Sequence, residues 1–352
     1  TEKVEDCPLN KLVLLAGFDW NQVDLIRGYK NYFLQINKSV NPNSVIGTIN
    51  KYPALVALIV SCFEEKFDPA RGDGKKLKTI KVRFEKGLEE ITDLTEDNIL
   101  RMLFNIVENT LRTNYFKSRT EYYTSIKLNC GGIMQMPKPV PMAEIYVHTP
   151  FLEGVHLRGG KTARGGLRWS DRPDDFRTEV LGLMKTQMVK NSVIVPVGSK
   201  GGFVLKKMKF KTATDREAAF KRHYQIFIRG LLDITDNLIE GKPVRPESVV
   251  CLDGPDPYLV VAADKGTAKM SDAANEISKD YRFWLGDAFA SGGAVGYDHK
   301  KFGITALGAW ECVKRHFREL GADIQSESIT VAGIGDMGGD VFGNGMLASR
   351  KI

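Results

Sequence analysis

From about residue 140 onwards, short β-branched runs alternate with helix-length amphipathic stretches, and this alternation constrains the fold more than any other feature of the sequence. The short runs predict strands at residues 144–148, 192–197, 248–252 and 328–332. Apolar residues at three- and four-residue spacing predict helices at residues 177–191, 215–239, 271–281 and 305–320. Strands that alternate with helices are typical of an α/β architecture, which is the fold class we predict.

The first 127 residues have a different, mainly helical pattern. Apolar spacing predicts helices at residues 21–34, 54–67 and 96–113, with a helix start at Thr95 and a loop at residues 68–81. No combination of side chains in this region is typical of a catalytic or binding site. Packing is therefore its predicted role.

Composition excludes several classes of protein. The 352 residues are 43% hydrophobic and 26% charged, which excludes a disordered chain, a collagen-like repeat and a pure coiled coil. The longest apolar run, residues 54–63, is about half the length that a bilayer requires, so we predict a buried helix and no membrane span. Five scattered cysteines without a CxxC pair favour a reducing compartment, and we predict a cytoplasmic protein.

Positive charge is concentrated in one part of the chain. The formal net charge is +7, and residues 155–210 alone contain twelve Lys or Arg against four Asp or Glu. Glycine pairs interrupt this basic stretch, a pattern that suits a small anionic ligand at least as well as a polyanion. A solvated basic surface is the ordinary alternative. A nucleic-acid-binding module is a further one, although the glycine pairs lack interleaved stacking aromatics beyond Trp169, Phe176 and Phe203.

Three glycine pairs in this stretch each have a cation beside them. Gly159-Gly160 precedes Lys161, Arg164 precedes Gly165-Gly166, and Lys200 precedes Gly201-Gly202. We predict glycine-rich turns here, because glycine lets backbone N–H groups approach an anion while the neighbouring cation adds a charge-assisted hydrogen bond.

The predicted helix at residues 177–191 carries Gln187 and Lys190 three residues apart, and therefore on one face. An amide and an ammonium together are suited to holding a carboxylate. An exposed helical face is the commoner fate of such a pair.

Lys200 follows the predicted buried strand at residues 192–197. A lysine delivered by a buried strand loses hydration, which would fit acid–base chemistry at a carbonyl. The phosphate-binding pattern GxxxxGK[ST] is absent, and glycine follows Lys200, so phosphoryl transfer is set aside.

A GxGxxG pattern follows the predicted strand at residues 328–332. Its residues are Gly333, Ile334, Gly335, Asp336, Met337 and Gly338. After a strand, this pattern predicts a dinucleotide-binding fold, with the pyrophosphate at the N-terminus of the next helix. Because the chain starts without Met and stops soon after this pattern, we expect a fragment of a longer protein.

Together these segments resemble the large NAD-specific glutamate dehydrogenases. The resemblance is densest at residues 154–206, 260–278 and 329–346. It implies a mainly helical region at residues 1–130, a catalytic and substrate-binding α/β domain at residues 131–300, and the start of an NAD-binding Rossmann domain at residues 301–352. The implied activity is reversible, NAD-dependent oxidative deamination of L-glutamate to 2-oxoglutarate and ammonium.

The resemblance also implies roles for individual residues. The shorter members of the family have Lys-Gly-Gly-x-Arg where this chain has Arg164-Gly165-Gly166-Leu167-Arg168, which assigns these positions to substrate binding and Arg164 to the distal carboxylate. Gln187 and Lys190 match the residues that hold the α-carboxylate. Lys200 and Asp264 match the catalytic lysine and aspartate. The cofactor-binding positions implied are Thr305, Gly333, Gly335, Asp336, Met337 and Gly338.

Several expectations accompany this interpretation. We expect a homo-oligomer when the protein is full length, no nucleic acid or membrane partner, no metal, and structural roles for all five histidines, whose spacing is unlike a metal site. An amino-acid dehydrogenase acting on another substrate is the alternative within enzymes. The isolated 352 residues are expected to be inactive without the remainder of the cofactor domain.

Overall fold

The computed structural model describes residues 5–71, 76–117, 121–190, 197–206, 211–267, 269–296, 299–333 and 340–352. By contacts, the chain forms two compact units, residues 1–291 and 292–352. The helical region and the sheet both belong to the first unit. The three-part division at residues 130 and 300 stays a prediction.

The N-terminal region is helical, as the sequence predicts. Its helices are α1 (Leu12–Leu15), α2 (Trp20–Ile36), α3 (Pro42–Lys51), α4 (Pro53–Phe67), α5 (Leu77–Leu88) and α6 (Leu94–Glu108). Asp19 caps α2 by accepting from the Gln22 N–H at 2.8 Å, and Asp93, not Thr95, caps α6. The predictions for α2 and α4 are confirmed.

Two predictions in this region are wrong in part. The loop expected at residues 68–81 ends earlier, because Ile80, Phe84 and Leu88 recur every four residues and bury one face of α5. The helix expected at residues 96–113 stops at Glu108, and β1 (Thr110–Thr113) follows. Pairing with β2 (Thr124–Leu128) prevails over the helical pattern there.

A mixed sheet forms the centre of the first unit. Its other strands are β3 (Ala143–His148), β4 (Leu152–Arg158), β5 (Ala163–Arg164), β6 (Gly166–Trp169), β7 (Val197–Leu205), β10 (Val261–Ala263) and β11 (Ala290–Ser291). The order is β1-β2-β3-β4-β7-β6-β10-β11, with β5 also beside β7. Neighbours from β1 to β7 are antiparallel, and those from β7 to β11 are parallel.

Two long helices cover the sheet. They are α7 (Phe176–Lys190) and α8 (Ala213–Leu232). Glycines at two positions of β7 let α7 approach closely, since an added Cβ at Gly202 would lie 2.4 Å from Val180. The aromatic rings of Phe220 and Phe227 on α8 pack against Phe203, which points to the opposite face. The predicted helical region followed by an α/β domain is confirmed.

The helix expected at residues 215–239 ends at Leu232. A hairpin of β8 (Asn237–Ile239) and β9 (Lys242–Val244) follows, and its turn residues Glu240 and Gly241 have φ of 50° and 75°. Two consecutive residues with positive φ match the twist of a tight hairpin.

Of the remaining predicted strands, the one at residues 144–148 is confirmed. The one at residues 192–197 lies outside the described residues except for Val197, the first residue of β7. No strand forms at residues 248–252. Ser248 has φ 57°, which is not an extended conformation, and of these five backbone N–H groups only that of Leu252 donates to another segment, namely to the Leu111 carbonyl. Residues 328–332 also do not form a strand. The Ile329 N–H donates to the Lys351 carbonyl, but among the described residues no further backbone hydrogen bonds between these two segments extend this contact into a strand pair.

The other predicted helices are confirmed. They are α9 (Ser271–Asp280) in the first unit and α11 (Ile304–Glu319) in the second, where the short α10 (His299–Phe302) precedes α11. Gly303, with φ 63°, separates α10 from α11 in a conformation that favours glycine.

Within the described ranges, no single helix is long and apolar enough to cross a bilayer. The pair α3 and α4, bent by 92°, meets that criterion jointly, by length and composition alone.

Candidate active site

Three neighbouring parallel strands carry the polar groups of the candidate site. Lys200 lies within β7, Arg168 lies within β6, and Asp264 directly follows β10. Gly166 of β6 pairs with Ala262, and Leu167 pairs with Gly201. Since side chains alternate between faces, this register places all three polar residues on the same face of the sheet.

Lys200 and Asp264 form an ion pair, with Nζ and Oδ2 2.5 Å apart. They are 64 positions apart in sequence, and β6 runs between them. Gly166 occupies the position on β6 that separates them, where an added Cβ would lie 3.1 Å from Asp264 Cβ. Glycine at this position leaves the space through which the lysine reaches the carboxylate.

The glycine pairs at residues 165–166 and 201–202 are not turns, which corrects the sequence prediction. Gly201 and Gly202 lie inside β7, and Gly166 begins β6. A Cβ at Gly165 would lie 1.6 Å from the Ser199 carbonyl oxygen. These glycines permit close packing of extended backbone, so Lys200 is held in a strand and its side chain is 5% exposed.

Arg164 and Gln187 both lie beside Gly198 of β7. Arg164 of β5 pairs with Gly198, and an added Cβ at Gly198 would lie 2.4 Å from the backbone carbon of Gln187. Gly198 is two residues before Lys200 and shares its face. Both side chains are half-buried. Lys190 is the last residue of α7, and its side chain lies outside the described residues.

Arg168, predicted to bind substrate, connects two carboxylates of the protein. Its Nε donates to Asp264 Oδ2 at 3.0 Å, and its Nη1 donates to Glu179 Oε1 at 2.9 Å. The Ser170 hydroxyl donates to the second oxygen of Glu179 at 2.6 Å. Sequence reasoning missed Glu179 and Ser170, because an acidic residue in the first turn of a helix is common and carries no catalytic signal.

These contacts set the protonation of the two carboxylates. Burial raises the pKa of Asp264, but hydrogen bonds from Arg168 and Lys200 outweigh it and lower the pKa below the ordinary 3.8. For Glu179, burial is likewise outweighed by hydrogen bonds from Ser170 and Arg168, which lower its pKa. Both groups are therefore carboxylates at neutral pH, and Asp264 is an available proton acceptor.

The loop after β10 holds Asp264 in place. The Thr267 hydroxyl accepts from the Asp264 N–H at 3.0 Å and donates to the Leu167 carbonyl at 2.7 Å. The Trp169 N–H donates to the Lys265 carbonyl at 3.1 Å. The loop that follows Asp264 thus anchors the aspartate to β6.

The predicted cofactor positions belong to the second unit. Thr305 is the second residue of α11, and its N–H donates to Asp340 Oδ2 at 2.8 Å. Any side chain at position 333 would have to displace the ring of Phe342, because a Cβ added to Gly333 would lie 3.0 Å from it. Gly335, Asp336, Met337 and Gly338 lie outside the described residues.

In the described part of the first unit, the three histidines do not form a metal-like cluster. His148 and His156 are buried in the sheet, and His223 Nδ1 lies 2.9 Å from the Ala219 carbonyl. Throughout the described part of the chain, no group of three or more His, Cys, Asp or Glu side chains could hold a metal ion.

A buried lysine paired with an ionised aspartate, on glycine-lined parallel strands and next to a cationic side chain, defines a catalytic domain of the α/β class that is suited to proton transfer on an anionic ligand. Residues 83–352 match the family model described as bacterial NAD-glutamate dehydrogenase, catalytic domain. Residues 4–69 match the model described as glutamate dehydrogenase, helical motif 3. The chain therefore belongs to the bacterial NAD-glutamate dehydrogenase family, which confirms the resemblance.

Individual relatives agree with this assignment. The chain is 54% identical to an NAD-specific glutamate dehydrogenase of Halomonas elongata over 97% of its own length. It is 51% and 50% identical to the proteins of the same name in Pseudomonas aeruginosa and Mycobacterium tuberculosis, each over 99% of its length. In all three cases the chain spans 22% of the relative.

Proposed function

We propose that this chain forms the substrate-binding and proton-transfer part of an NAD-dependent glutamate dehydrogenase. In the full-length protein, L-glutamate, NAD⁺ and water would give 2-oxoglutarate, ammonium, NADH and a proton. The observation that carries this proposal is the 2.5 Å contact between Lys200 and the ionised Asp264, beside the position where Arg164 and Gln187 meet. The expected alternatives, another amino-acid substrate or nucleic acid, have no comparable support.

The first task of the site is to orient a molecule with two carboxylates and one amine. Arg164 would hold the distal carboxylate, and Gln187 with Lys190 would hold the α-carboxylate. Binding at both ends fixes the carbon between them, which removes much of the entropic cost of the reaction.

The second task is proton transfer. The substrate ammonium must lose a proton before its nitrogen lone pair can form a C=N bond as the hydride leaves the carbon. Asp264 is ionised and accepts that proton. That proton then leaves to solvent as the net proton of the reaction, and the Lys200 ammonium passes a proton to Asp264. The neutral Lys200 amine takes a proton from the water that adds to the C=N carbon, and Asp264 gives its proton to the departing nitrogen, so both groups return to their starting states. The 2.5 Å contact lets a proton pass between the two groups.

Bound NAD⁺ would supply the acceptor for the hydride. The predicted positions Gly333, Gly335, Asp336, Met337 and Gly338, together with Thr305, would hold the dinucleotide. We further propose a cytoplasmic location, which the five unpaired cysteines support, and a homo-oligomeric full-length protein.

Replacing Arg164 with Met in the full-length protein tests the role assigned to the distal-carboxylate contact. Loss of one charge-assisted hydrogen bond, about 1.5–3 kcal/mol, should raise KM for glutamate about ten- to a hundredfold with a smaller change in kcat. Steady-state NADH formation measures both constants. Activity on a substrate with an apolar side chain in place of the distal carboxylate should decline less than activity on glutamate.

Arg172→Met is the matched control, since Arg172 is exposed and paired with Asp175. Its kinetic constants should equal those of the wild type. An unchanged glutamate KM in Arg164→Met would contradict the assignment of Arg164. No glutamate-dependent NADH formation by the wild-type protein would refute the proposed function itself.

A further inference from the structure

We propose that Glu179 is a positioning residue for Asp264, acting through Arg168; this inference rests on the proposed function. Glu179 lies on α7, whereas Asp264 follows β10, and Arg168 of β6 bonds to both carboxylates at 2.9 and 3.0 Å. A guanidinium held between two carboxylates has fewer accessible orientations than one held by a single carboxylate.

The direction of the hydrogen bonds indicates how this arrangement acts. Glu179 is itself fixed by the Ser170 hydroxyl at 2.6 Å, so the chain Ser170–Glu179–Arg168 ends at the oxygen of Asp264 that also contacts Lys200. Arg168 therefore orients the catalytic carboxylate and keeps it ionised, while its contact with substrate stays a prediction.

Glu179→Gln and Arg168→Gln in the full-length enzyme test the inference. For Glu179→Gln, kcat should fall about ten- to a hundredfold while KM for glutamate changes little, because the substrate carboxylates keep their contacts. For Arg168→Gln, loss of the hydrogen bond that lowers the Asp264 pKa should also move the acid limb of the kcat/KM profile to higher pH. Arg168→Lys, which keeps the charge, should restore the position of that limb but not the full kcat.

Asp175→Asn is the control, since it alters an exposed ion pair with Arg172 next to the same helix and should leave kcat, KM and the pH profile unchanged. If the wild-type protein acts on glutamate and Glu179→Gln has the same kcat as Asp175→Asn, the inference about Glu179 is overturned. The proposed function is then unaffected. A large rise in glutamate KM for Arg168→Gln with an unmoved acid limb would instead return Arg168 to substrate binding. Inactivity of the wild type on glutamate would refute the proposed function.

A separate observation concerns the contact between α2 and the sheet. A cavity of about 10 Å³ lies there, and five buried polar side chains line it, of which four have unpartnered atoms. Asp24 Oδ2, Thr124 Oγ1, Tyr146 Oη and both ring nitrogens of His148 have no hydrogen-bond partner among the described residues. Asp24 Oδ2 and His148 Nε2 are 3.4 Å apart, longer than an ordinary hydrogen bond between them.

We infer that this cavity is a binding site for one ordered water molecule. Unpartnered buried polar groups are costly, and several of them around one small cavity indicate a shared partner. The volume is at the lower limit for a single water, which offers two donors and two acceptors. Asp24 provides an acceptor, because burial is outweighed by His148 and Arg27, which lower its pKa to about 2.

The water would join α2 to β2 and β3, and so the helical region to the sheet that carries the candidate site. Gly28 contributes to the space, since an added Cβ there would lie 3.5 Å from the His148 ring. A monovalent cation is a poorer occupant, because the Arg27 guanidinium already pairs with Asp24.

Two tyrosines on this cavity form a matched pair for the test. Tyr29 Oη has a protein partner, Thr110 Oγ1 at 2.8 Å, whereas Tyr146 Oη has none within hydrogen-bonding distance in the described ranges, and both residues are 1% exposed. In the full-length protein, Tyr29→Phe should speed amide hydrogen exchange of β3 about fivefold, the effect of one lost hydrogen bond. Tyr146→Phe should also speed amide hydrogen exchange of β3 about fivefold if the Tyr146 hydroxyl binds water.

Unchanged or slower exchange in Tyr146→Phe would overturn the inference, because removing a truly unpartnered buried hydroxyl is neutral or stabilising. Exchange that depends on Na⁺ or K⁺ would exclude water as the occupant. A density map that resolves waters should show a peak within about 3.2 Å of Tyr146 Oη, and an empty cavity in such a map would also refute the site.

Discussion

Replacing Lys200 with Ala in the full-length protein should reduce kcat for glutamate oxidation about 10³-fold or more, while the protein still folds. Lys200 is the buried side chain whose Nζ contacts Asp264, and alanine can neither exchange a proton with Asp264 and the attacking water nor stabilise charge on the forming carbonyl. Folding should survive, because Arg168 continues to pair with Asp264. Single-turnover NADH formation, with circular dichroism as the folding measurement, checks both statements.

Lys185→Ala is the matched control for this substitution. Lys185 lies on α7 but is exposed and faces away from β7, since it is five residues from Val180 on the helix. Its removal should leave kcat unchanged. A Lys200→Ala variant that keeps wild-type turnover would refute the role assigned to Lys200, even if the enzyme acts on glutamate.

The fold class could be predicted because periodicity reflects burial directly. Helices α2, α4, α9 and α11 have apolar residues at helical spacing, and each forms close to its predicted bounds. The strands were less predictable. β10 has only three residues and β11 two, and such short segments form strands because neighbouring strands pair with them, which local sequence does not encode.

The glycine pairs show a second limit of the sequence. Two adjacent glycines are most typical of a turn, and this was the prediction for residues 165–166 and 201–202. In the structure they line extended backbone, because α7 and β5 approach β7 more closely than a Cβ permits. Only the three-dimensional neighbours distinguish a glycine needed for its φ angle from one needed for its missing side chain.

The site was predictable residue by residue only through the family resemblance. Nothing local connects Lys200 with Asp264, because the register of three strands brings them together across Gly166. Glu179 was missed for the same reason: its partner Arg168 lies on another element, and the contact depends on how α7 sits on the sheet.

Replacing Asp264 with Asn should lower kcat about 10²- to 10⁴-fold, the usual contribution of a general acid–base group. The amide keeps the shape and can still contact Arg168 or Lys200, but it cannot accept the proton of the substrate ammonium. Because the pKa of Asp264 is lowered below 3.8, the wild-type carboxyl is fully ionised above that pH. The deficit should therefore be constant between about pH 6 and 9. Rate–pH profiles of both proteins measure it.

Asp280→Asn is the control, since Asp280 is an exposed carboxylate paired with Arg229. A deficit in Asp264→Asn that persists unchanged at a pH where the substrate amine has already lost its proton would contradict proton transfer from the substrate ammonium to Asp264, because no acceptor is then needed for that step.

The double variant Lys200→Ala, Asp264→Asn shows whether the two residues act as one unit. If protons pass between Nζ and Oδ2 at 2.5 Å, removing either group already disables the transfer, so the double variant should be about as slow as the slower single variant. Independent roles would instead make the two losses multiply. Gly166 lies between Lys200 and Asp264 and leaves room for their contact. Gly166→Ala should therefore have about the kcat of the slower single variant, although Lys200 and Asp264 are both still present.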